Sequence, residues 1–340
     1  MEIVNNFQFK NRSVLITGAC GTVGAELTRQ VIAAGAERVV CVDNNESDLF
    51  FLQQAFVETG RMKGYLADIR DLEALKQRMQ GVEIVLHAAA LKHVGLCEDS
   101  PSQAIRTNIE GTQNVIDAAL LNNVERVIFT SSDKAVNPTN VMGTSKLMGE
   151  RLMTAASLNN HSSCTVFAST RFGNVLGSRG SVVPLFRRQI ESGAPVTLTD
   201  RQMTRFIMTL QEAVDLVLQS ALIATGGEVF VTKMPVARIE DIAIHMVNEL
   251  ANGKDIAIKE IGAKPGEKMY EELMNDEEVR RAYEIEDFFV VLPAFAGNHE
   301  DHYPIARGRR KADRPYNSSV EPAMSAGELA SYFRSRSILT

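Results

Sequence analysis

Short apolar runs alternate with stretches of helical spacing through the first half of the chain. Ser13 to Thr17 (SVLIT) and Arg38 to Val42 (RVVCV) are continuous apolar runs of the kind that form parallel strands buried on both faces. Tyr65 to Ala67, Glu83 to His87, Val127 to Phe129 and Cys164 to Ala168 read the same way. Between them, Ala25 to Ala34, Asp48 to Glu58, Leu72 to Met79, Pro101 to Leu121 and Gly143 to Leu158 have helical spacing, and Gly35 is placed to cap the first of these. This βαβα alternation predicts an α/β fold, a Rossmann-like doubly wound parallel sheet.

Past Arg171 the pattern loosens. Gly173, Gly177, Gly180 and Gly193 punctuate a loop-rich region. Helices are expected at Leu210 to Leu222 and Ile239 to Leu250, and strands at Glu228 to Val231 and Phe288 to Leu292. A helix is expected to follow Pro265-Gly266-Glu267-Lys268 and run through Met274. The stretch 297–322 reads as a polar loop, and Ser325 as the N-cap of a last helix, Ala326 to Phe333. The division expected is a Rossmann domain over 1–173, to which 206–230 returns, a smaller C-terminal substrate-binding lobe from 174–205 and 231–296, and a tail with its helix over 297–340.

Composition narrows the class. With 340 residues and 45% hydrophobic content the chain has material for a sizeable core. A formal net charge of -6 and a pI near 5.7 argue against nucleic acid or an anionic membrane as main partner. The basic run Arg307 to Lys311 reads as a solvated loop. Four cysteines without a CxxC pair suggest reduced usage. No signal peptide and no run of spanning length is evident, so the expectation is a cytoplasmic protein without a membrane segment. His299 and His302 bracket Glu300 and Asp301, too few donors for a metal site, and none is expected.

Two stretches carry the chemistry. Gly18, Gly21 and Gly24 form GxxGxxG between a strand and a helix, where glycine permits a tight turn and lets a pyrophosphate approach the helix N-terminus. Asp43 ends the second strand, where a carboxylate holds adenosine ribose hydroxyls and disfavours a 2′-phosphate; NAD is expected over NADP. Asp68 and Ile69 end the third strand beside the adenine position. Ala88, Ala89 and Ala90 end the fourth, small enough for a dinucleotide to lie flat, with Lys92 and His93 beyond them. The second stretch, Thr130 to Lys146 (TSSDKAVNPTNVMGTSK), follows a buried strand and sets an acid beside a base at a strand's carboxyl end.

These residues resemble the extended short-chain dehydrogenase/reductases through TGACGTVG (with Thr22 and Val23 inside it), AAALKHV and NIEGT, the last beginning at Asn108. More closely, SSDKAVNPTNVMGTSK, RFGNVLGSRGSVVPLF, MTRF and KPGEKMYEEL resemble the UDP-N-acetylglucosamine 4,6-dehydratases of polysaccharide biosynthesis (the CapD-like family). The family's Tyr-x-x-x-Lys is here Met142 and Lys146, and this Met-for-Tyr form resembles the retaining branch, whose larger members carry a membrane-embedded N-terminal region. The resemblance implies tightly held NAD, a UDP- or GDP-linked sugar substrate and surface-glycan synthesis. It also implies a catalytic sequence of oxidation at C4, loss of the C5 proton, expulsion of the C6 hydroxyl and return of hydride to C6, with no net use of cofactor.

By the same resemblance Lys134 is the C5 base, Asp133 the acid at the C6 oxygen, and Lys146 the ligand of the nicotinamide ribose, with Ser132 alongside. Asp133 is expected to hold a proton through burial, and Lys134 to lose one through burial and a nearby cation such as Lys146 or the oxidised nicotinamide. Ser132, a water and Asp133 acting twice are all open as acceptor of the C4 hydroxyl proton. Asn108 and Lys92 join the cofactor set, Lys92 serving the substrate set as well. Lys92, Asn174, Arg179, Ser181, Arg205 and Glu267 form the substrate set, arginine for the diphosphate and Glu267 for the nucleotide ribose. A C4 or C5 epimerase of the same fold and a non-catalytic NAD-binding sensor are the alternatives. A homodimer or larger homo-oligomer is expected through helices 101–121 and 143–158.

Overall fold

The computed structural model describes residues 9–159, 164–178, 180–262, 266–295 and 303–339. One nine-stranded sheet organises it. From one edge the order is Met62–Leu66, Arg38–Asp43, Ser13–Thr17, Ile84–His87, Arg126–Ser132, Val166–Phe172, Val229–Thr232, Phe288–Val291 and Ala282–Ile285. The strands run parallel as far as Val229–Thr232, and an antiparallel hairpin closes that edge. Strand order reverses between Ser13–Thr17 and Ile84–His87. In open α/β sheets a ligand crevice lies at the carboxyl ends of strands at such a point. Val14, Leu15, Ile16, Val39, Val127 and Ile128 are fully buried, as their apolar runs require.

The smaller lobe joins three short strands, Asn174–Val175, Thr204–Met208 and Val236–Arg238, to a two-stranded pair, Val196–Leu198 with Ile258–Glu260. Its core packs helices Val182–Glu191, Ile239–Leu250 and Ala326–Ser335 through Phe186, Ile190, Ile242, Met246, Leu329 and Phe333. Ser325 caps the last helix in a reciprocal box with Glu328, as its sequence signature indicates.

Several elements differ from the sequence expectation. The strand expected at Val127 to Phe129 runs Arg126–Ser132, because Thr130, Ser131 and Ser132 pair with Thr170, Arg171 and Phe172. Its neighbour, expected from Cys164 to Ala168, is Val166–Phe172. The long helix expected over 101–121 is broken into Pro101–Ala104, a π-helical segment Ile105–Glu110 and Gly111–Leu121, and a further short helix, Val94–Asp99, precedes it. The helix expected to run through Met274 is instead a strand, Glu272–Met274, paired with Tyr316–Asn317. Pairing 40-odd residues away in sequence overrides the local spacing. The tail is therefore not a loose loop: Tyr303, Ile305, Ala306, Ala312, Tyr316 and Ser318 are buried. The segment 282–291, expected in the lobe, extends the main sheet.

One ionic group ties these parts together. Arg171 is fully buried in its strand, with Glu150 of helix Val141–Asn159 on one side and Glu278 of helix Asp276–Val279 on the other. Its Nε and one terminal nitrogen donate to Glu150 at 2.8 and 2.6 Å, and both terminal nitrogens donate to Glu278 at 2.8 and 2.7 Å. A fifth bond reaches the Leu273 carbonyl at 3.1 Å. Removing the guanidinium strands two buried carboxylates. Arg171→Ala is expected to cost about 3–5 kcal/mol, read as a lower denaturant midpoint in urea unfolding. An Arg171→Ala protein as stable as the parent would contradict this.

Candidate active site

The cofactor-side groove forms where two strand ends meet. Gly18 has φ of 65°, and a Cβ there would lie 2.6 Å from the Ala89 backbone. A Cβ on Gly24 would lie 2.1 Å from the Gly18 carbonyl oxygen. Only glycine permits both approaches, and they draw the turn, the helix start and the Ala88–Ala90 loop together. Gly21 precedes helix Thr22–Ala33 and supplies no side-chain cap, so Thr22 and Val23 present the open N-terminus of that helix. The groove is a cavity of about 300 Å³ lined by Gly18, Gly21, Asp43, Asp68, Ile69 and Ala88 to Leu91, among others.

The Asp43 carboxylate is held in place, accepting the Cys20 N–H at 2.9 Å and the Asn45 N–H at 3.0 Å. Asp68 pairs with Arg70 at 2.6 Å, and the guanidinium's hydrogen bonds hold its carboxyl below the usual range against partial burial. Ile69 is buried under the groove against Gly111. Asn108 departs from expectation. It is buried one layer behind, with Oδ1 accepting the Leu91 N–H at 2.8 Å. Its Nδ2 donates to the Leu91 carbonyl at 2.9 Å and to Ser145 Oγ at 2.8 Å. Its amide is spent anchoring the loop after Ala90 to helix Val141–Asn159, and it sits within the π-helical segment that breaks the expected helix. Lys92 is exposed just beyond Leu91, and the His93 ring packs on the backbone of Gly180.

A polar cluster stands at the end of strand Arg126–Ser132. Asp133 and Lys134 open a single 3₁₀ turn, Asp133–Ala135. Ser132 Oγ donates to Asp133 Oδ1 and accepts the Lys134 N–H. Lys134 Nζ donates to both Asp133 oxygens at 3.1 Å. Asp133 is 1% exposed. Burial alone would neutralise both groups, but each stabilises the charge on the other. Against desolvation, the Lys134 ammonium and the Ser132 hydroxyl hold the Asp133 carboxyl below the usual range. Likewise, Asp133 and Glu271 hold the Lys134 ammonium above its ordinary value. This corrects the expectation that burial would leave Asp133 protonated and Lys134 neutral: the resting state is an ion pair.

The cation acting on Lys134 is Arg205, not Lys146. Lys146 lies deeper, donating to the Thr130 carbonyl at 2.9 Å with its Nζ 4.7 Å from the Phe129 ring centre. Burial pushes it down to about 8. Met142 is buried among Cys97, Ala104, Val94 and Val141, so the position that resembles the family's tyrosine is filled by an apolar side chain in an apolar pocket.

On the substrate side, Arg205 is buried, with Nε 3.4 Å from Glu271 and terminal nitrogens bonded to the carbonyls of Thr204, Lys268 and Met269. Glu267 lies 3.8 Å from Arg205 and accepts from Thr199 at 3.3 Å. Ser181 precedes helix Val182–Glu191, its buried Oγ without a partner among the described residues. Asn174 starts the short strand paired with Ile207. Arg179, His299 and His302 lie outside the described residues, and among the described residues no group of metal donors forms.

Sequence reasoning missed Glu271 and His87. Glu271 stands in KPGEKMYEEL beside a second glutamate. Glu271 is buried just before the strand, its backbone bonded to Ser318, while Glu272 pairs with Lys268. His87 ends its strand beneath the site, wholly buried, its ring nitrogens 2.7 Å from Thr17 Oγ1 and 3.1 Å from Thr112 Oγ1.

The sequence pattern of the family described as polysaccharide biosynthesis protein matches residues 14–293. A protein of Methanocaldococcus jannaschii described as an uncharacterized membrane protein is 46% identical over 85% of this chain and 88% of its own. The capsular polysaccharide biosynthesis protein CapD of Staphylococcus aureus is 44% identical over 80% of this chain, which spans 46% of that longer relative. An inverting UDP-N-acetylglucosamine 4,6-dehydratase of Campylobacter jejuni is 37% identical over 84% of each chain. A UDP-glucose 4-epimerase of Rickettsia rickettsii is 39% identical over 83% of each chain. Among solved structures, Pen from Bacillus thuringiensis superposes with a TM-score of 0.90 at 41% identity, covering 97% of this chain and 99% of its own. No helix among the described residues is long and apolar enough to cross a membrane.

The His87 environment makes a pH prediction. Burial, then the Lys146 cation, push its imidazole down to about 3. The stability from keeping it neutral is fully present above the unfolded value near 6.5 and is lost as pH falls toward 3. Between pH 7 and pH 5 the parent is expected to lose about 2 kcal/mol more than His87→Asn, measured by urea unfolding. Parallel pH curves would contradict it.

Proposed function

The chain belongs to the polysaccharide biosynthesis protein family, and we propose that within it the protein is an NAD-dependent nucleotide-sugar 4,6-dehydratase acting on UDP-N-acetylglucosamine or a GDP-linked analogue. Its fold is that of the extended short-chain dehydrogenase/reductases, and its relatives are named nucleotide-sugar dehydratases and epimerases. The observation that carries the reading is the buried Asp133–Lys134 pair at the end of its strand. A dehydration needs an acid for the leaving oxygen and a base for the adjacent proton. A C4 epimerisation has no use for both.

The groove residues fit NAD. The glycine turn and open helix N-terminus suit the pyrophosphate, Asp43 suits the adenosine ribose hydroxyls, Ile69 suits the adenine and Lys146 the second ribose. When bound, NAD supplies the reversible hydride acceptor that the reaction requires. Arg205 and Ser181 are placed on the substrate lobe, and Asn174, Arg179, Glu267 and Lys92 complete the proposed substrate set.

Asp133, held in its ionised form by Lys134 and Ser132, takes the C4 hydroxyl proton in this reading, the task a tyrosine would have in place of Met142. The same proton then goes from Asp133 to the C6 oxygen, which leaves as water. Lys134 takes the C5 proton. Lys146, pushed down to about 8 by burial, donates to the Thr130 carbonyl behind the Asp133 turn. Leu96, Ile105, Leu121 and Met148 are exposed on the helices after the alanine loop, which supports pairing of two copies through these helices.

The test is mass spectrometry and NMR of UDP-N-acetylglucosamine incubated with the protein in heavy water. The expected product has lost one water and carries one deuterium at C5. Asp133→Asn and Lys134→Met should each lower its rate by about 100- to 10,000-fold. An isomer of unchanged composition would instead identify an epimerase, and variants as active as the parent would sink the assigned roles.

A further inference from the structure

The ion pair at Asp133 leaves a problem that the proposed reaction must solve. Lys134 can remove the C5 proton only as a free amine, yet it rests as an ammonium. Some group must hold its proton during the chemistry and hand it back. Among the described residues, one buried carboxylate besides Asp133 lies within reach. Glu271 Oε1 lies 3.5 Å from Lys134 Nζ and 3.4 Å from Arg205 Nε. Its Oε2 is buried with no hydrogen-bond partner among the described residues. The residue is 3% exposed and is fixed by its backbone: its N–H donates to Ser318 Oγ at 2.9 Å, and its carbonyl accepts the Ser318 N–H at 2.9 Å. An oxygen without a donor, buried beside a charged amine, is a costly arrangement in a purely structural carboxylate.

We propose that Glu271 takes the resting proton from Lys134 Nζ during each turnover and returns it at the end, so that Lys134 acts as the C5 base. The proposal rests on the dehydratase reading and deepens it. Glu271 touches no reacting atom; it is a positioning residue for the proton on Lys134.

The protons balance. Above about pH 7, the resting state has Asp133 as an anion, Lys134 as a cation and Glu271 as an anion. The C4 hydroxyl proton passes to Asp133, which removes the anion that most favours the ammonium. The Lys134 proton then moves to Glu271, leaving a free amine and a neutral carboxylic acid. Lys134 takes the C5 proton, and Asp133 gives its proton to the C6 oxygen, which departs as water. When hydride has reached C6, Lys134 returns a proton to C5, and the proton on Glu271 goes back to Lys134. Each group ends as it began, and the C4 hydroxyl proton has left in the water.

The groups facing Glu271 suit this task. Asp133 and Lys134 approach from the 3₁₀ turn, Arg205 from strand Thr204–Met208, and Ser318 from the tail. Burial, then repulsion by Asp133, push the Glu271 carboxyl up to about 7. A carboxyl that high exchanges a proton with an ammonium at far smaller cost than an ordinary glutamate. Only the ionised form can accept, so C5 exchange must fall as pH drops below about 7.

The experiment is C5 deuterium uptake by UDP-N-acetylglucosamine across pH 5.5–9, for the parent, Glu271→Gln and Glu271→Asp. Oxidation at C4 is followed in parallel by cofactor absorbance. The parent should show an inflection near pH 7. Glu271→Gln should lower C5 exchange at least ~100-fold and abolish that inflection, while C4 oxidation stays within about threefold. Glu271→Asp, which keeps an acceptor, should regain at least ~10-fold of the exchange and an inflection. Water loss by a Gln variant with parental rate and inflection overturns the proposal alone. So does an Asp variant no better than Gln when C4 oxidation shows both to be folded. Absence of water loss and exchange in the parent overturns the dehydratase reading, and this proposal with it.

Discussion

A guanidinium held between two carboxylates inside the protein is the constraint on which the site depends. Arg171, Glu150 and Glu278 are all buried, and desolvating three charges is expensive. A well-packed apolar trio of the same volume could match the stability. What the ionic trio adds is uniqueness: four directional bonds fix where helix Val141–Asn159, strand Val166–Phe172 and helix Asp276–Val279 stand with respect to one another. Lys146 rides on the first of these elements. The strand paired with the second ends at the Asp133 turn. The third follows Glu271 by a few residues, and Arg171 also grips the Leu273 carbonyl just beyond it. The Asp133–Lys134 pair and Glu271, drawn from remote parts of the chain, are thus referenced to one buried cation.

The same electrostatic logic governs the site itself. Asp133, Lys134, Glu271 and Arg205 carry balanced charges in a space where water screens weakly. Each is costly alone and tolerable together, so moving one proton changes the balance for every neighbour. One strand end thus holds buried groups of both signs whose protonation states are linked.

The Rossmann half was largely legible in the sequence because strands buried on both faces need no alternation. Runs such as SVLIT and RVVCV can hardly be anything else between helical stretches. GxxGxxG with Asp43 located the groove, since its chemistry is carried by backbone and one carboxylate at fixed spacing. Asp133 and Lys134 were visible as polar residues at a strand end. What stayed hidden depends on distant contacts. The strand Glu272–Met274 forms only because Tyr316–Asn317 reaches it. Glu271 could not be told from Glu272 until that pairing fixed which one faces inward. Asn108 sits in a matched motif, but the π-helical segment turns its amide to the backbone of Leu91. The ionisation expected for Asp133 and Lys134 was inverted because burial and a neighbouring cation were weighed without the attraction between the two groups, which meet at 3.1 Å.

The bonds between Glu271 and Ser318 set an order of events during synthesis. The Rossmann strands and Asp133 leave the ribosome early and can fold as they emerge. Glu271 acquires its place only after residue 318 has followed. Until then the Asp133–Lys134 turn lacks its third carboxyl. Translation therefore separates the emergence of the groove's residues from that of the contact which fixes Glu271.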